Sequence, residues 1–346
     1  MKRNGWGNSM GILVSVNCTT YNHEEYIADA IESFLMQKTN FNFEILIGED
    51  CSTDNTKKIV EEYAEKHPGK VRIITSEKNV GARKNSVRLL ENSNGKYIAE
   101  CEGDDFWTDP NKLQKQVDYM MSNPNCSMSF HASEIVKAPR KKTGIIVKPY
   151  NESRKSPIED IIVRGGGFFS TGSMVYQKKF MENPPEFYLN APIGDYPMQM
   201  ILASKGYTYY FDEVMSAYRS GVKGSWTDRM TNSTDVRKNV TSVNEGIIEL
   251  LDAFNSYTDF EHRSEIDKVK LKLEFELLVL SGDVKKQKIS RFKDYSKLDR
   301  LKVKTKIFIR CNYPTYFMKL ANYKDVKFNF IQQKPSSLLR KEMNVK

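Results

Sequence analysis

An acidic cluster stands in the sequence Glu102-Gly103-Asp104-Asp105, directly after the strand-like segment Tyr97–Cys101. Hard divalent cations such as Mg²⁺ and Mn²⁺ prefer oxygen ligands, and proteins usually bind them through one or two carboxylates together with substrate phosphates. A cation held here would neutralise the charge that develops on a departing diphosphate. The alternative is a solvated turn that caps the next helix, but Asp109 already stands in that position. We therefore predict that Asp104 and Asp105 bind Mn²⁺ or Mg²⁺.

Four other polar side chains have the chemistry to bind a nucleoside diphosphate. Asp50 follows the apolar segment Phe43–Gly48, and its carboxylate would accept a hydrogen bond from a nucleobase, unless it caps the next helix. Tyr21 would stack on the base or pack beneath it. Arg83 and Lys84 follow a turn at a helix start, where they would bind a diphosphate or remain solvated.

A repeated strand–helix pattern positions these residues. Apolar, strand-like runs occur at residues 11–16, 43–48, 71–75 and 97–101, and helix-like segments join them. This alternation predicts an α/β fold with a parallel sheet that helices cover on both faces. Ligands bind beyond the carboxyl ends of such strands. Three polar clusters follow those ends, so we predict that they meet at one edge: Thr19-Thr20-Tyr21-Asn22, Glu49-Asp50 and Glu102-Gly103-Asp104-Asp105.

After residue 110 the pattern loosens. We predict helices at 109–122 and 195–204, strands at 126–131, 173–176 and 207–211, a basic loop at 137–155, and a helical region from 236 onward. The run Gly165-Gly166-Gly167-Phe168-Phe169 has two interpretations, a ligand-binding turn whose aromatics stack on a sugar or a flexible turn with core aromatics. We divide the chain into a catalytic domain (residues 1–230) and a basic, largely helical extension (residues 231–346).

Composition and charge exclude several classes of protein. A hydrophobic fraction of 39% and an aromatic fraction of 11% support a folded core. No run reaches the roughly 18 apolar residues of a membrane span, and no apolar signal segment follows the first residues, so we expect a cytoplasmic protein. Residues 261–346 carry a net charge of +12 and the first 260 carry −3. A near-neutral main domain without a recognition motif argues against nucleic-acid binding.

The five cysteines and four histidines show no metal-site spacing, and we expect them to be structural.

The order of the motifs resembles that of the family 2 glycosyltransferases over roughly residues 10–225. The matching motifs are Val16-Asn17-Cys18-Thr19-Thr20-Tyr21-Asn22, Ile47-Gly48-Glu49-Asp50-Cys51-Ser52-Thr53-Asp54, Asn79-Val80-Gly81-Ala82-Arg83-Lys84-Asn85 and Gly95-Lys96-Tyr97-Ile98 with Glu102-Gly103-Asp104-Asp105. This resemblance implies an inverting enzyme with the A-type, Rossmann-like glycosyltransferase fold. Cys51, Glu49 and Glu102 depart from the usual family residues, which leaves the base and metal preference open.

The resemblance also implies roles for individual residues. Those that would hold the nucleoside are Thr19, Tyr21 and Asp50. Asp104 would lie near the ribose and the metal, and Asp105 would be the direct metal ligand. Asp195 would be the general base, unless it is an ordinary helix N-cap. The segment from Tyr218 to Trp226 resembles a loop that closes over the sugar-nucleotide donor, with Trp226 in contact with it.

The chemistry itself sets two requirements. Displacing a nucleoside diphosphate from an anomeric carbon needs a stabilised leaving group and a deprotonated acceptor hydroxyl on the opposite face. A single base without a nucleophilic carboxylate beside it predicts inversion. We expect a UDP-sugar donor, with a hexosyl or N-acetylhexosaminyl group, and a glycan or lipid-linked acceptor in capsule or other cell-surface polysaccharide synthesis.

Two other functions compete with this prediction. A nucleotidyltransferase would need a glycine-rich basic loop after the first strand, and the sequence Thr19-Thr20-Tyr21-Asn22-His23 offers none. A non-catalytic sugar-binding protein would have no use for Asp105 and Asp195 together.

The basic tail contains aromatic residues among its bases, in Lys302–Arg310 and Tyr313–Phe317. Anionic lipid attracts basic residues near its surface, and aromatic residues settle at the headgroup level. We therefore predict peripheral attachment to the inner face of the cytoplasmic membrane. The alternative is a helical subdomain that packs on the catalytic domain or on a second subunit, as in a homodimer.

Overall fold

A computed structural model describes residues 11–231, 235–282, 292 and 297–312. Within these ranges ten strands form one sheet: β1 (Val14–Thr20), β2 (Phe43–Glu49), β3 (Val71–Thr75), β4 (Tyr97–Glu100), β5 (Phe106–Trp107), β6 (Cys126–Lys137), β7 (Lys141–Val147), β8 (Arg154–Ser156), β9 (Val175–Gln177) and β10 (Tyr207–Ser220).

The α-helices of the described ranges are α1 (Ile27–Leu35), α2 (Thr56–Lys66), α3 (Ala82–Asn92), α4 (Lys112–Ser122), α5 (Ile158–Arg164), α6 (Glu186–Asn190), α7 (Asp195–Ser204), α8 (Trp226–Thr231), α9 (Val236–Tyr257), α10 (Arg263–Ser281) and α11 (Lys297–Asn312). Three short 3₁₀ turns join them to the sheet, at Gly166–Phe168, Thr171–Ser173 and Lys178–Phe180.

The first half of the sheet is parallel, in the order β3-β2-β1-β4. β1 begins at Val14 and continues to Thr20, whereas we predicted that the strand ends at residue 16. We ended the predicted strand before Asn17 because a run of polar residues usually marks the end of a buried strand. Here the buried Asn17 Oδ1 accepts a hydrogen bond from the hydroxyl of Ser93 at 2.9 Å, so the polar side chain is accommodated inside the protein.

The second half of the sheet is mixed, and its long strands extend beyond the predicted ones. β6 and β10 lie parallel, with Tyr218 beside Ile135 and Arg219 beside Val136. The predicted basic loop at 137–155 contains β7, which pairs with β6 in a hairpin. We expected the closing loop to begin at Tyr218. The first part of this prediction is wrong, because Tyr218 and Arg219 belong to β10. Pairing with a distant strand extends β10, and local sequence carries no signal of it.

Helices cover both faces of the sheet, as predicted. On one face the apolar residues of α1, α2 and α4 pack against β1, β2 and β4, for example Ile31, Val60 and Val117. On the other face α3, α5 and α7 contribute to a second core, with Leu90, Ile161 and Ile201 among its members. The sheet is thus buried on both sides, which leaves its edges and strand ends for a binding site.

The C-terminal helices pack directly on this second core. Leu250 and Phe254 of α9, with Ile266 and Leu273 of α10, belong to the same buried cluster as α5 and α7. A smaller cluster, which includes Phe275 of α10 and Ile307 of α11, joins the last helices to one another. The division at residue 230 remains a prediction about domains, but the cores on its two sides are continuous. The predicted segment Tyr313–Phe317 lies outside the described residues.

Candidate active site

The ends of β1, β2 and β4 meet at one edge of the sheet. The backbone N–H of Asp50 donates to the carbonyl of Thr20 at 3.1 Å, and the N–H of Gly103 donates to the carbonyl of Thr19 at 2.9 Å. The two residues at the end of β1 therefore lie between Asp50 and the acidic cluster. The three polar clusters that we expected to converge do lie together.

A buried arginine holds the two aspartates in place. The backbone N–H of Arg219 donates to Asp105 Oδ1 at 2.7 Å, and its guanidinium donates to the carbonyl of Asp104. The same guanidinium donates to Asp29 Oδ2 and to the carbonyl of Pro139, each at 2.7 Å. The Asp105 side chain is only 2% exposed. Its position is thus set by β10, a strand more than 100 residues away in sequence.

The negative charge of the cluster is only partly compensated. Burial, followed by repulsion from Asp104 and Glu102, raises the pKa of Asp105 well above its usual value, against the opposing effect of Arg219. Desolvation by the surrounding protein raises the pKa of Glu102 to about 8, and the charges of Asp104 and Asp195 add to the shift. A cation at this point would relieve the repulsion.

The donor set fits a hard divalent cation. Asp104 and Asp105 offer carboxylate oxygens only, which suits Mn²⁺ or Mg²⁺ and not a soft metal. Within residues 11–231, 235–282, 292 and 297–312, no group of three or more acidic, histidine or cysteine side chains could hold a metal ion. Two carboxylates would therefore need further oxygen ligands, and a diphosphate supplies them.

His23 lies against this cluster, although its sequence spacing predicted only a structural role. Its Nε2 is 4.0 Å from Asp104 Oδ2, and its Nδ1 lies 3.2 Å from the hydroxyl of Thr20. Burial lowers the pKa of His23, and this effect outweighs the opposing charge of Asp104. The position directly after the first polar cluster, Thr19-Thr20-Tyr21-Asn22, was the signal that could have placed it in the site.

Asp50 is buried and already engaged. Its two carboxylate oxygens accept the backbone N–H groups of Val80 at 2.9 Å and Gly81 at 2.8 Å. It thereby fixes the turn before α3, and a nucleobase N–H would have to share one of these oxygens. Tyr21, by contrast, is exposed beside it, while Thr19 is half-buried. The nucleoside contacts of all three remain predictions.

Asp195 is the first residue of α7. Its Oδ1 accepts the backbone N–H of Tyr196 at 2.8 Å, although the N-cap position of the helix is occupied by Gly194 and not by Asp195. Burial nonetheless raises its pKa. The backbone of Gly166 lies so close that a Cβ there would be 2.7 and 2.8 Å from the two carboxylate oxygens. The charge of Asp195 also contributes to the raised pKa of Glu102, so the two carboxylates lie near one another.

Arg83 contacts the segment before Asp195. Its guanidinium donates to the carbonyl of Ile193 at 2.5 Å and of Gly194 at 3.2 Å, and it lies 4.3 Å from the centre of the Tyr188 ring. The predicted diphosphate contact would require it to share these donors. Lys84 is exposed on the next position of α3.

Trp226, the predicted donor contact of the closing loop, is the first residue of α8 and is 44% exposed.

Three residues without a predicted role of their own lie at the site, namely His23, Gly166 and Arg219. Gly166 stood in the glycine run that had two interpretations. Phe168 and Phe169 of that run are buried in the core, which supports the interpretation as a turn with core aromatics, and Gly166 itself lies against Asp195. The sequence placed Arg219 only in the predicted closing loop, because its hydrogen-bond partners come from three separate segments, at Asp29, Asp104-Asp105 and Pro139.

The amino-acid sequence of residues 15–182 matches the family described as Glycosyl transferase family 2. This range contains the ends of β1, β2 and β4 and the acidic cluster. The chain carries a family 2 glycosyltransferase domain.

Proteins with similar sequences include an uncharacterized protein and a putative glycosyltransferase. The chain is 33% identical over 223 residues to an uncharacterized protein of Mycobacterium tuberculosis, which covers 63% of this chain and 62% of that protein. It thus spans less than two thirds of that relative's length. It is also 38% identical over 118 residues to the putative teichuronic acid biosynthesis glycosyltransferase TuaG of Bacillus subtilis, covering 34% of this chain and 45% of TuaG.

A third relative, from Escherichia coli, is the UDP-Glc:alpha-D-GlcNAc-diphosphoundecaprenol beta-1,3-glucosyltransferase WfgD, at 35% identity over 124 residues (36% of this chain, 47% of WfgD).

Solved structures confirm the fold. S. aureus TarS in complex with UDP-GlcNAc superimposes with a TM-score of 0.55 at 16% identity, over 86% of this chain and 81% of that one. The mannosyltransferase PcManGT from Pyrobaculum calidifontis, in complex with GDP-Man and Mn²⁺, gives a TM-score of 0.53 at 14% identity, over 93% and 87%. The predicted A-type glycosyltransferase fold, followed by a helical C-terminal region, is confirmed.

Proposed function

We propose that this protein is an inverting glycosyltransferase that moves a hexosyl or N-acetylhexosaminyl group from a UDP-sugar to a hydroxyl of a glycan or lipid-linked acceptor. The observation that carries the proposal is the proximity of Asp195 to the acidic cluster, close enough for its charge to contribute to the raised pKa of Glu102. This proximity supports a leaving-group site at the cluster and a candidate base at Asp195.

In the proposed reaction the Asp195 carboxylate takes the proton from the acceptor hydroxyl. The acceptor oxygen attacks the anomeric carbon as the bond to the nucleoside diphosphate breaks, and the configuration inverts. Burial raises the pKa of Asp195, which makes it a stronger base than a solvated aspartate. Asp104 and Asp105 would hold Mn²⁺ or Mg²⁺, which would stabilise the charge on the departing diphosphate.

The choice of donor and acceptor is supported by the names of similar proteins. WfgD is named for a UDP-glucose donor and a lipid-diphosphate-linked acceptor, and TuaG for teichuronic acid biosynthesis. TarS was solved with UDP-GlcNAc, whereas PcManGT was solved with GDP-Man. A uridine nucleotide and a role in cell-surface polysaccharide synthesis are the proposals that these names favour.

Asp195→Asn tests the assignment of the base. We expect transfer to fall by about 1,000-fold, within the range that general-base catalysis contributes. The affinity for UDP with Mn²⁺, measured by calorimetry, should stay within a few-fold of the wild type because the base acts on the acceptor. A loss of UDP affinity equal to the loss of transfer would make Asp195 a donor-binding or structural residue.

Asp105→Ala and chelation test the metal. Both should abolish transfer, and the variant should also lose the increase in UDP affinity that Mn²⁺ gives the wild type. Full activity in excess EDTA would exclude metal dependence.

We also propose that the protein works at the inner face of the cytoplasmic membrane. None of the described helices has the length and apolarity needed to cross a bilayer. On α11, Leu301 and Phe308 are 61% and 58% exposed, and Lys302 and Lys304 lie on the exposed surface between them. Such a surface matches an anionic lipid headgroup layer in both charge and apolar character.

Sedimentation with anionic liposomes tests this location. Truncation near residue 260 would remove core residues such as Ile266, so charge reversal is the cleaner change. Lys302→Glu with Lys304→Glu should reduce pelleting at low salt. The matched control is the pair Lys57→Glu with Lys58→Glu on α2, whose side chains are also exposed. Equal pelleting of both double variants would exclude α11 as the attachment surface.

A further inference from the structure

The segment between α6 and α7, residues 191–194, leads directly into Asp195 and is held from two sides. Arg83 of α3 donates to the carbonyls of Ile193 and Gly194 on one side. On the other side lies α9 of the C-terminal helical region. Because residue 195 follows without an intervening turn, a displacement of this segment moves the carboxylate with it.

The contact with α9 depends on a glycine. Gly246 lies within the 22-residue helix α9, where glycine is an unfavourable residue. A Cβ built on Gly246 would lie 3.0 Å from Cγ, 3.3 Å from Cδ and 3.4 Å from Cβ of Pro192. The first distance is closer than ordinary van der Waals contact, so any larger residue at position 246 would require Pro192 or the helix to shift by a few tenths of an ångström.

Neighbouring contacts make this junction firm. Ala191 and Ile193 pack on the core that contains Leu250, Leu251 and Phe254 of α9. The ring of Phe187, on α6, meets the ring of Phe254 edge to face at 6.3 Å between centroids. The residues on either side of Pro192 are therefore packed on the core, so a displacement of Pro192 by a larger residue at position 246 is transmitted to this segment.

We infer that α9 positions the catalytic base: Gly246 and Pro192 form a contact that, together with Arg83, sets the position of Asp195 at the start of α7. The C-terminal helical region is then part of the active site's support and acts beyond any role in membrane attachment. This inference rests on the proposed function of Asp195 as the base. Gly246 acts through Pro192 and touches no substrate, so it is a positioning residue.

Gly246→Ala separates positioning from stability. Alanine favours a helix more than glycine does, so the thermal midpoint should stay the same or rise. The Cβ displaces Pro192 by a few tenths of an ångström, and we expect kcat to fall about threefold to tenfold with the KM for the UDP-sugar unchanged. Gly246→Val should lower kcat further, toward the about 100-fold that a 1 Å misplacement costs.

Pro192→Ala provides the rescue. It removes Cγ and Cδ and leaves only a Cβ at ordinary contact distance from residue 246. In the Pro192→Ala background, Gly246→Ala should change kcat by less than twofold. Glu249→Ala, on the exposed side of α9, is the matched control and should leave kcat unchanged.

The outcomes separate the two proposals. If Asp195→Asn retains transfer, the assignment of the base fails whatever Gly246 does. If Asp195→Asn loses transfer but Gly246→Ala and Gly246→Val both keep the wild-type kcat, the inference about α9 is overturned. An equal loss from Gly246→Ala with and without Pro192→Ala would also overturn it, because the effect would not pass through Pro192.

Discussion

Gly166→Ala is a direct test of how closely the backbone surrounds the proposed base. Gly166 begins the 3₁₀ turn Gly166–Phe168, and its backbone requires no left-handed conformation, so alanine can adopt the backbone conformation there. The added Cβ would nevertheless lie 2.7 and 2.8 Å from the two carboxylate oxygens of Asp195. One of the two groups must move.

The size of the movement follows from these distances. Ordinary contact begins at 3.4 Å, so the oxygens must withdraw by 0.7 and 0.6 Å. A carboxylate on a short side chain can turn by this amount, so the cost in stability should be small, about 1 kcal/mol. A displaced catalytic group loses much more, since a 1 Å misplacement can cost about 100-fold in rate. We therefore expect kcat to fall by roughly tenfold to 100-fold.

The assay compares kcat, the affinity for UDP with Mn²⁺ and the thermal midpoint in two variants. Gly167→Ala is the matched control, because a Cβ at Gly167 would meet no atom within 4 Å. Only Gly166→Ala should lose activity, and neither should lose nucleotide affinity. Equal kcat values in the two variants would refute the claim that Asp195 acts from the position it has in the structure.

Two further predictions concern stability. Arg219→Met should lower the free energy of unfolding, measured by urea titration, by about 3 kcal/mol. The substitution removes a fully buried guanidinium that binds Asp29 and the backbone carbonyl of Asp104. A loss below about 1 kcal/mol would contradict this prediction. Burial lowers the pKa of Lys112 from 10.5 to about 7, so the unfolded chain binds more protons between these values and stability should rise with pH across that window. Lys112→Met should reduce the slope of the free energy of unfolding against pH by up to about 1.4 kcal/mol per pH unit. If the urea midpoint of the variant changes with pH as that of the wild type does, the prediction is refuted.

Many of the strands and helices that carry the proposed site residues could be predicted from local sequence. The strands β2 and β3 could be predicted because burial on both faces of a sheet requires a continuous run of apolar residues. The helices α3 and α7 could be predicted because burial of one face of a helix requires apolar residues at a helical spacing. The carboxyl ends of parallel strands must share one edge. That rule alone brought Asp50 and the cluster at Glu102–Asp105 together.

Tertiary structure decided what depends on partners distant in sequence. The length of β10 was set by β6, and Arg219, expected in a loop, became the buried support of Asp105. Asp50 proved to be engaged with the turn before α3. The position of Asp195 depends on Gly166, Arg83 and α9, which come from three separate segments. Sequence patterns report which face of an element is buried, whereas the distance between two side chains is set only when all the elements pack.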